Sequence, residues 1–200
     1  MESPISAQQL SEWIARGVQG EEATCAALYA HFSPAVLRVT LGLLNDLADA
    51  EEVTQDTFVY ALRNLARFDP MKSAFTTWLF TIAISRCRNK RRRAWLRGLL
   101  PLEAVDVEAR AETQRLVETL LERRGVRRQV WEALQELPPH LREAVALRYF
   151  GGLRYREIGQ VLECNPKTAE SRVRLGLNAL RPALRLRGIE AAEVLETVEF

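Results

Sequence analysis

The sequence predicts an all-α protein made of two small helical domains joined by a partly helical linker. Apolar residues recur at spacings of three and four through most of the 200 residues, and no segment alternates with the period of two that a strand requires. Glycine and proline together number 18, below the roughly 12 % of ordinary usage, so the chain has few breakers. Between 94 and 128 the pattern changes: Pro101 and the acidic stretch from Glu103 to Glu108 interrupt the periodicity and divide the chain in two.

Ser6 is placed to cap a first helix reaching Ala15. A second runs from about Glu21 to Leu44, with Leu28, Phe32, Val36, Val39 and Leu43 on one stripe. A third, about Leu47 to Leu65, buries Ala50, Val53, Thr57 and Ala61 beside Phe58, Leu62 and Leu65. Phe68 to Ser73 then form a loop, because Pro70 removes a donor and disfavours helix in its predecessor. The fourth helix, about Ala74 to Arg93, turns Phe75, Leu79, Ile82 and Ala83 to the core. Thr77, Thr81, Ser85, Arg88 and Arg92 make a polar stripe that fits a phosphate backbone or a solvated face. The linker holds a helical piece with Leu116, Val117, Leu120 and Leu121, ended by Gly125.

The second domain begins near Gln129 with Val130, Leu134 and Leu137, stops at Pro138 and Pro139, and resumes from Leu141 to Phe150. Arg154 to Leu162 places Tyr155, Ile158 and Leu162 inward. Asn165 and Pro166 then supply an N-cap and a first-turn proline. The last helix packs Ala169, Val173, Leu177, Leu180 and Leu184 and exposes Lys167, Glu170, Ser171, Arg174, Asn178 and Arg181. Two such helices across a tight turn fit a helix-turn-helix, whose second helix enters the major groove, or a plain helical hairpin with a polar face.

Composition narrows the function. Cys25, Cys87 and Cys164 are scattered and odd in number, and His31 and His140 are the only histidines, so neither a zinc site nor a nucleophilic triad is expected. No phosphate-binding or dinucleotide fingerprint and no hydrolase motif occurs. The chain reads as a non-enzyme without cofactor or metal. No long apolar run and no signal-like opening is evident, so a cytoplasmic protein without membrane insertion is expected. The net charge of +2 conceals two patches: seven of the twelve residues from Arg86 to Arg97 are basic, and Asp46 to Asp56 carries five acids and no base. Opposite signs suggest two different partner surfaces.

Seven blocks then carry a resemblance. Asp49-Ala50-Glu51-Glu52-Val53-Thr54-Gln55-Asp56-Thr57-Phe58, Phe68-Asp69-Pro70, and Phe75-Thr76-Thr77-Trp78-Leu79-Phe80-Thr81-Ile82-Ala83 resemble region 2 of extracytoplasmic-function sigma factors. Leu137-Pro138-Pro139-His140-Leu141-Arg142-Glu143-Ala144, Arg148-Tyr149-Phe150, Gly152-Leu153-Arg154-Tyr155-Arg156-Glu157-Ile158 and Ser171-Arg172-Val173 resemble region 4. The similarity spans roughly residues 20 to 93 and 129 to 185. It divides the chain into region 2 (1–93), a linker (94–128), region 4 (129–187) and an acidic tail (188–200).

The resemblance implies a dissociable promoter-specificity subunit of RNA polymerase. Asp49, Glu52, Gln55, Asp56 and Phe58 would meet the coiled-coil clamp of the largest core subunit, with Phe58 the strongest contact, and the second-largest subunit's flap would hold region 4. Phe68, Asp69, Lys72 and Ser73 in the loop, with Phe75, Thr77, Trp78, Thr81, Ser85, Arg88, Asn89 and Arg92 on the helix, would bind the minus-10 element. Arg154, Lys167, Thr168, Glu170, Ser171, Arg172 and Arg174 would bind the minus-35 element. An anti-sigma factor is a further expected partner. The alternative is a polymerase-independent helix-turn-helix repressor or activator, which would leave the acidic helix and aromatic loop unexplained. Melting about ten base pairs costs on the order of 14 kcal/mol at ~1.4 kcal/mol per step. Capturing an unstacked base returns only ~1–3 kcal/mol, so the chain alone cannot open a promoter.

The sequence departs from the family pattern at several positions. Lys167-Thr168-Ala169-Glu170 opens the recognition helix where a small residue, Thr, Val and a base are common, and Leu175 and Leu177 stand at later basic positions. Glu170 fits either an ion pair with Lys167 or Arg174 or a hydrogen bond from cytosine N4. Ser85 stands where relatives often have Asn, and the linker is long. The tail carries Glu190, Glu193, Glu196 and Glu199 with no base, and either is solvated or folds onto the basic recognition surface.

Overall fold

The computed structural model describes residues 5–98 and 125–187, and these are helical throughout, without a strand. The N-terminal bundle consists of α1 (Ala7–Val18), α2 (Glu22–Leu44), α3 (Leu47–Arg63), a 3-10 turn at Leu65–Arg67 and α4 (Phe75–Gly98). The C-terminal bundle consists of α5 (Gly125–Gln135), α6 (Pro139–Tyr149), α7 (Tyr155–Val161) and α8 (Pro166–Leu186).

Local chemistry sets the helix starts. Ser6 Oγ accepts from the Gln9 amide at 3.1 Å, Asp46 Oδ1 from Asp49 at 2.8 Å and Asn165 Oδ1 from Thr168 at 2.7 Å; each side chain satisfies a donor that the first helical turn leaves open. Asn45 closes α2 in the left-handed region at φ 54, which asparagine tolerates.

The α2 stripe of Leu28, Phe32, Val36, Val39 and Leu43 is buried and forms the axis of the N-terminal core. By length and composition α2 could cross a membrane, contrary to the expectation of no such run, but here that stripe is spent on α3 and α4. Buried threonines stitch α2 to α3: Thr40 Oγ1 lies 3.1 Å from Thr54 Oγ1, which donates to Ala50 O at 2.7 Å, so each hydroxyl is paired where water is excluded. In the C-terminal bundle α8 lies on α6, and a Cβ at Gly176 would come 2.5 Å from Val145 Cγ2, so only glycine permits that approach.

Two boundaries differ from the sequence reading. α1 extends past Ala15 to Val18, and α4 continues through the basic cluster to Gly98. Gly125 is the first described residue of α5. The linker piece around Leu116 to Leu121 and the tail from Gly188 to Phe200 lie outside the described residues.

Candidate nucleic-acid interface

Asp69 builds the loop that leads into α4. Its carboxylate accepts from the Met71 amide at 2.9 Å and pairs with Lys72 at 3.5 Å, while its carbonyl accepts from the Lys72 amide at 3.0 Å and the Ser73 amide at 3.4 Å. This side-chain turn replaces the donor pattern that Pro70 interrupts. The half-buried rings of Phe68 and Trp78 lie over it, 5.5 Å apart, and both touch Phe75, at 5.2 and 5.7 Å. Phe75 is itself buried and meets Phe32 at 5.1 Å. It is the floor of the aromatic cluster, and Phe68 and Trp78 are its accessible faces.

Along α4, Thr81, Ser85, Arg88, Asn89 and Arg92 are exposed and Thr77 is not. Placing Thr77 on the outward stripe is therefore corrected. A four-residue step overshoots a full turn by about 40°, enough to carry the first member of the stripe into the bundle. Phe58 is corrected in the same way. It is 2 % exposed, edge-on to Tyr29 at 4.9 Å, and cannot present a surface contact. Its position beside Leu62 and Leu65 on the inward face of the helix points to the core, and burial outweighs the role the resemblance assigned.

The two charge patches are not separate surfaces. α3 and α4 run antiparallel, so Lys90 Nζ sits 3.0 Å from Asp49 and 2.5 Å from Glu52, and Arg86 lies 3.4 Å from Asp56 and 5.3 Å over the Tyr60 ring. Distance along the chain concealed this, because the paired residues are 30 or more positions apart. Gln55 remains exposed between these pairs, next to exposed Val59 and Tyr60.

The helix-turn-helix is tight. A Cβ at Gly159 would meet the Cys164 carbonyl at 2.6 Å, and Glu163 takes a left-handed φ of 53 at the turn. On α8, Lys167, Glu170 and Arg174 are exposed, and Thr168, Ser171 and Arg172 are half-buried along its flank. Arg154 is exposed at the start of α7, where its amide donates to Glu157 at 2.7 Å.

The two bundles pack directly on each other. Arg88 makes a two-pronged ion pair with Glu143 of α6, at 2.8 and 2.7 Å, and Glu143 is buried. That hydrogen-bonded carboxylate raises the Arg88 pKa. Burial, and then the nearby Glu143, pushes the Cys87 thiol beside it up to about 12, so Cys87 stays protonated and inert at neutral pH. Phe150 sits on Gly42, where a Cβ would come within 2.8 Å of the ring, and Gln135 Nε2 donates to Gly42 O at 3.0 Å. Gly151 faces Phe80 across the same junction, and Gln160 Nε2 reaches Lys72 O at 3.4 Å. In the sequence Glu143 stands out only as a member of the Leu137 to Ala144 block. A carboxylate within the mostly apolar helix Leu141–Phe150 was the available signal that a cation must face it.

Comparison with known proteins agrees with this geometry. The Sigma-70 region 2 family matches residues 28–97 and the Sigma-70, region 4 family matches residues 127–180. The ECF RNA polymerase sigma factor SigK of Mycobacterium tuberculosis is 30 % identical over 183 residues, covering 90 % of this chain and 96 % of the relative. The RNA polymerase sigma-H factor of Pseudomonas aeruginosa is 30 % identical over 190 residues with the same coverage. Among solved structures, CnrH in complex with the cytosolic domain of CnrY matches with a TM-score of 0.63 and 25 % identity, over 87 % of this chain and 96 % of that one. RpoE from Bartonella quintana, in complex with the anti-sigma factor NepR, matches with a TM-score of 0.61 and 24 % identity, over 80 % and 96 %, and shares the fold. Two matched regions in order, joined to near full-length relatives, place the chain in the family of extracytoplasmic-function sigma factors, dissociable subunits that direct RNA polymerase to promoters.

Proposed function

We propose that this sigma factor divides its work among three surfaces. Glu52, Gln55 and Asp56 on α3, with exposed Val59 and Tyr60 beside them, dock on the clamp coiled coil of the largest polymerase subunit, and the flap of the second-largest subunit holds the C-terminal bundle. Phe68 and Trp78, backed by Phe75 and shaped by Asp69, Lys72 and Ser73, take an unstacked base of the minus-10 element, and Thr81, Ser85, Asn89 and Arg92 grip the adjoining strand. Arg154, Lys167, Thr168, Glu170, Ser171, Arg172 and Arg174 engage the minus-35 element. The protein works in the cytoplasm and performs no catalysis of its own. Restraint by an anti-sigma factor fits the complex of its Bartonella structural neighbour.

The observation that carries this reading is the coexistence, in one chain, of an aromatic platform at the mouth of a basic helix and a capped recognition helix. Region 2 and region 4 must also separate to act together. Elements centred about 25 base pairs apart lie on the order of 85 Å from each other at ~3.4 Å per base pair. A compact chain of this length has a radius of gyration of about 16 Å. With Arg88 bound to Glu143 and Phe150 seated on Gly42, both elements cannot be held at once. Binding to polymerase core supplies the free energy to open the junction. The test is run-off transcription with purified core on a randomised promoter library. Transcripts from templates sharing two spaced elements are expected. Tight occupancy of closed duplex without core, and no transcript with it, would support a polymerase-independent regulator instead.

A further inference from the structure

Glu170 is an acid in the middle of a surface proposed to meet a polyanion. It stands in the second turn of α8, exposed, on a helix whose start is pinned by Asn165 and Pro166. Lys167 three residues before it and Arg174 four residues after it are the cations that helical geometry offers, yet among the described residues Glu170 makes no ion pair with either. The next turn offers no cation at Leu175, an exposed aliphatic side chain. The carboxylate is thus left with its acceptors open, facing the same way as Lys167 and Arg174.

We propose that Glu170 is a base-reading residue that selects cytosine at one position of the minus-35 element; this rests on the reading of α8 as the minus-35 helix. An ionised carboxylate only accepts hydrogen bonds. In the major groove guanine offers N7 and O6, both acceptors, and thymine offers O4 and a methyl group, so neither can satisfy it. Only the amino groups of cytosine and adenine donate there. Adenine sets its N7 acceptor beside that donor, against the second carboxylate oxygen, whereas cytosine sets a C–H there. The unpaired acid therefore acts by rejection as much as by attraction: opposite the wrong base it is desolvated, unpaired and close to phosphates. Lys167 and Arg174 on either side hold the backbone and offset its charge.

The experiment is selection from a library randomised across the upstream element, using full-length protein assembled with polymerase core, for wild type, Glu170→Gln and Glu170→Ala. Wild type is expected to enrich cytosine at one position by about 5- to 150-fold over other bases, the ratio equivalent to ~1–3 kcal/mol. Glu170→Gln is expected to move that position to adenine, which an amide reads with both its groups, and Glu170→Ala to lose the preference there, with every other position unchanged. Identical base preferences in all three proteins would overturn the proposal. So would a uniform gain in affinity across all sequences for Glu170→Ala, the mark of an acid that merely repels phosphate. If wild-type holoenzyme enriches no upstream element while still selecting a downstream one, the minus-35 reading of α8 fails first. A wild type with an upstream preference that Glu170 variants leave intact removes only the present inference.

Discussion

Helices α4 and α8 are both basic and both face DNA in the proposed assembly, yet they use their charges differently. On α4, Arg86, Arg88 and Lys90 are bound to carboxylates of α3 and α6, and Arg92 and Arg93 with Asn89, Ser85 and Thr81 remain outward. On α8, Lys167, Glu170 and Arg174 make no ion pair among the described residues. A run of cations is therefore not a footprint of equal depth along its length. On α4 much of the charge organises the protein, whereas at the start of α8 it is open to a partner.

The sharpest way to break this contrast is Phe58→Ala. A fully buried phenylalanine lost from a core costs ~3–5 kcal/mol, so urea denaturation of the full chain should show a large fall and polymerase association should decline with the folded fraction. Undiminished stability with lost association would restore Phe58 as a direct contact. Glu143→Ala comes next. Removing one partner of a buried ion pair costs ~3–5 kcal/mol, but Arg88 is half exposed here, so a loss of ~1–2 kcal/mol is expected. Small-angle X-ray scattering should show a larger radius of gyration as the bundles part; an unchanged radius would mean that Phe150 and Gly42 hold the junction without the ion pair.

Lys90→Ala probes the α3–α4 seam with a smaller effect, about 1 kcal/mol or less of stability. By unmasking Asp49 and Glu52 it should raise the association rate with core at low salt, and stopped-flow fluorescence would detect this. The finest comparison is the salt dependence of promoter-complex formation. Arg92→Ala and Arg174→Ala should each flatten the log–log slope by ~0.9. Arg88→Ala should flatten it by as much only if opening the junction hands its guanidinium to a phosphate.

Most of the fold was legible because it rests on local rules. The buried α2 stripe, the Ser6 and Asn165 caps, the break at Pro70 and the order of the helices follow from side-chain period and capping chemistry. The site was legible in part. Phe68, Trp78, Ser85, Arg92, Lys167 and Arg174 stand at accessible positions, whereas Thr77 and Phe58 turn inward. A stripe drawn on an ideal helix does not know which neighbour will cover its edge.

The helices, their caps and the inward stripe of each follow from residue spacing, since backbone hydrogen bonding and apolar burial act within a few turns of chain. Which charges are spent and which are spare was decided by packing. Lys90 meets Asp49 and Glu52, and Arg88 meets Glu143 from 55 residues away, only because antiparallel helices and a second bundle bring them within bonding distance. Electrostatic attraction at a few ångströms depends on position in space, and no spacing along the chain encodes it.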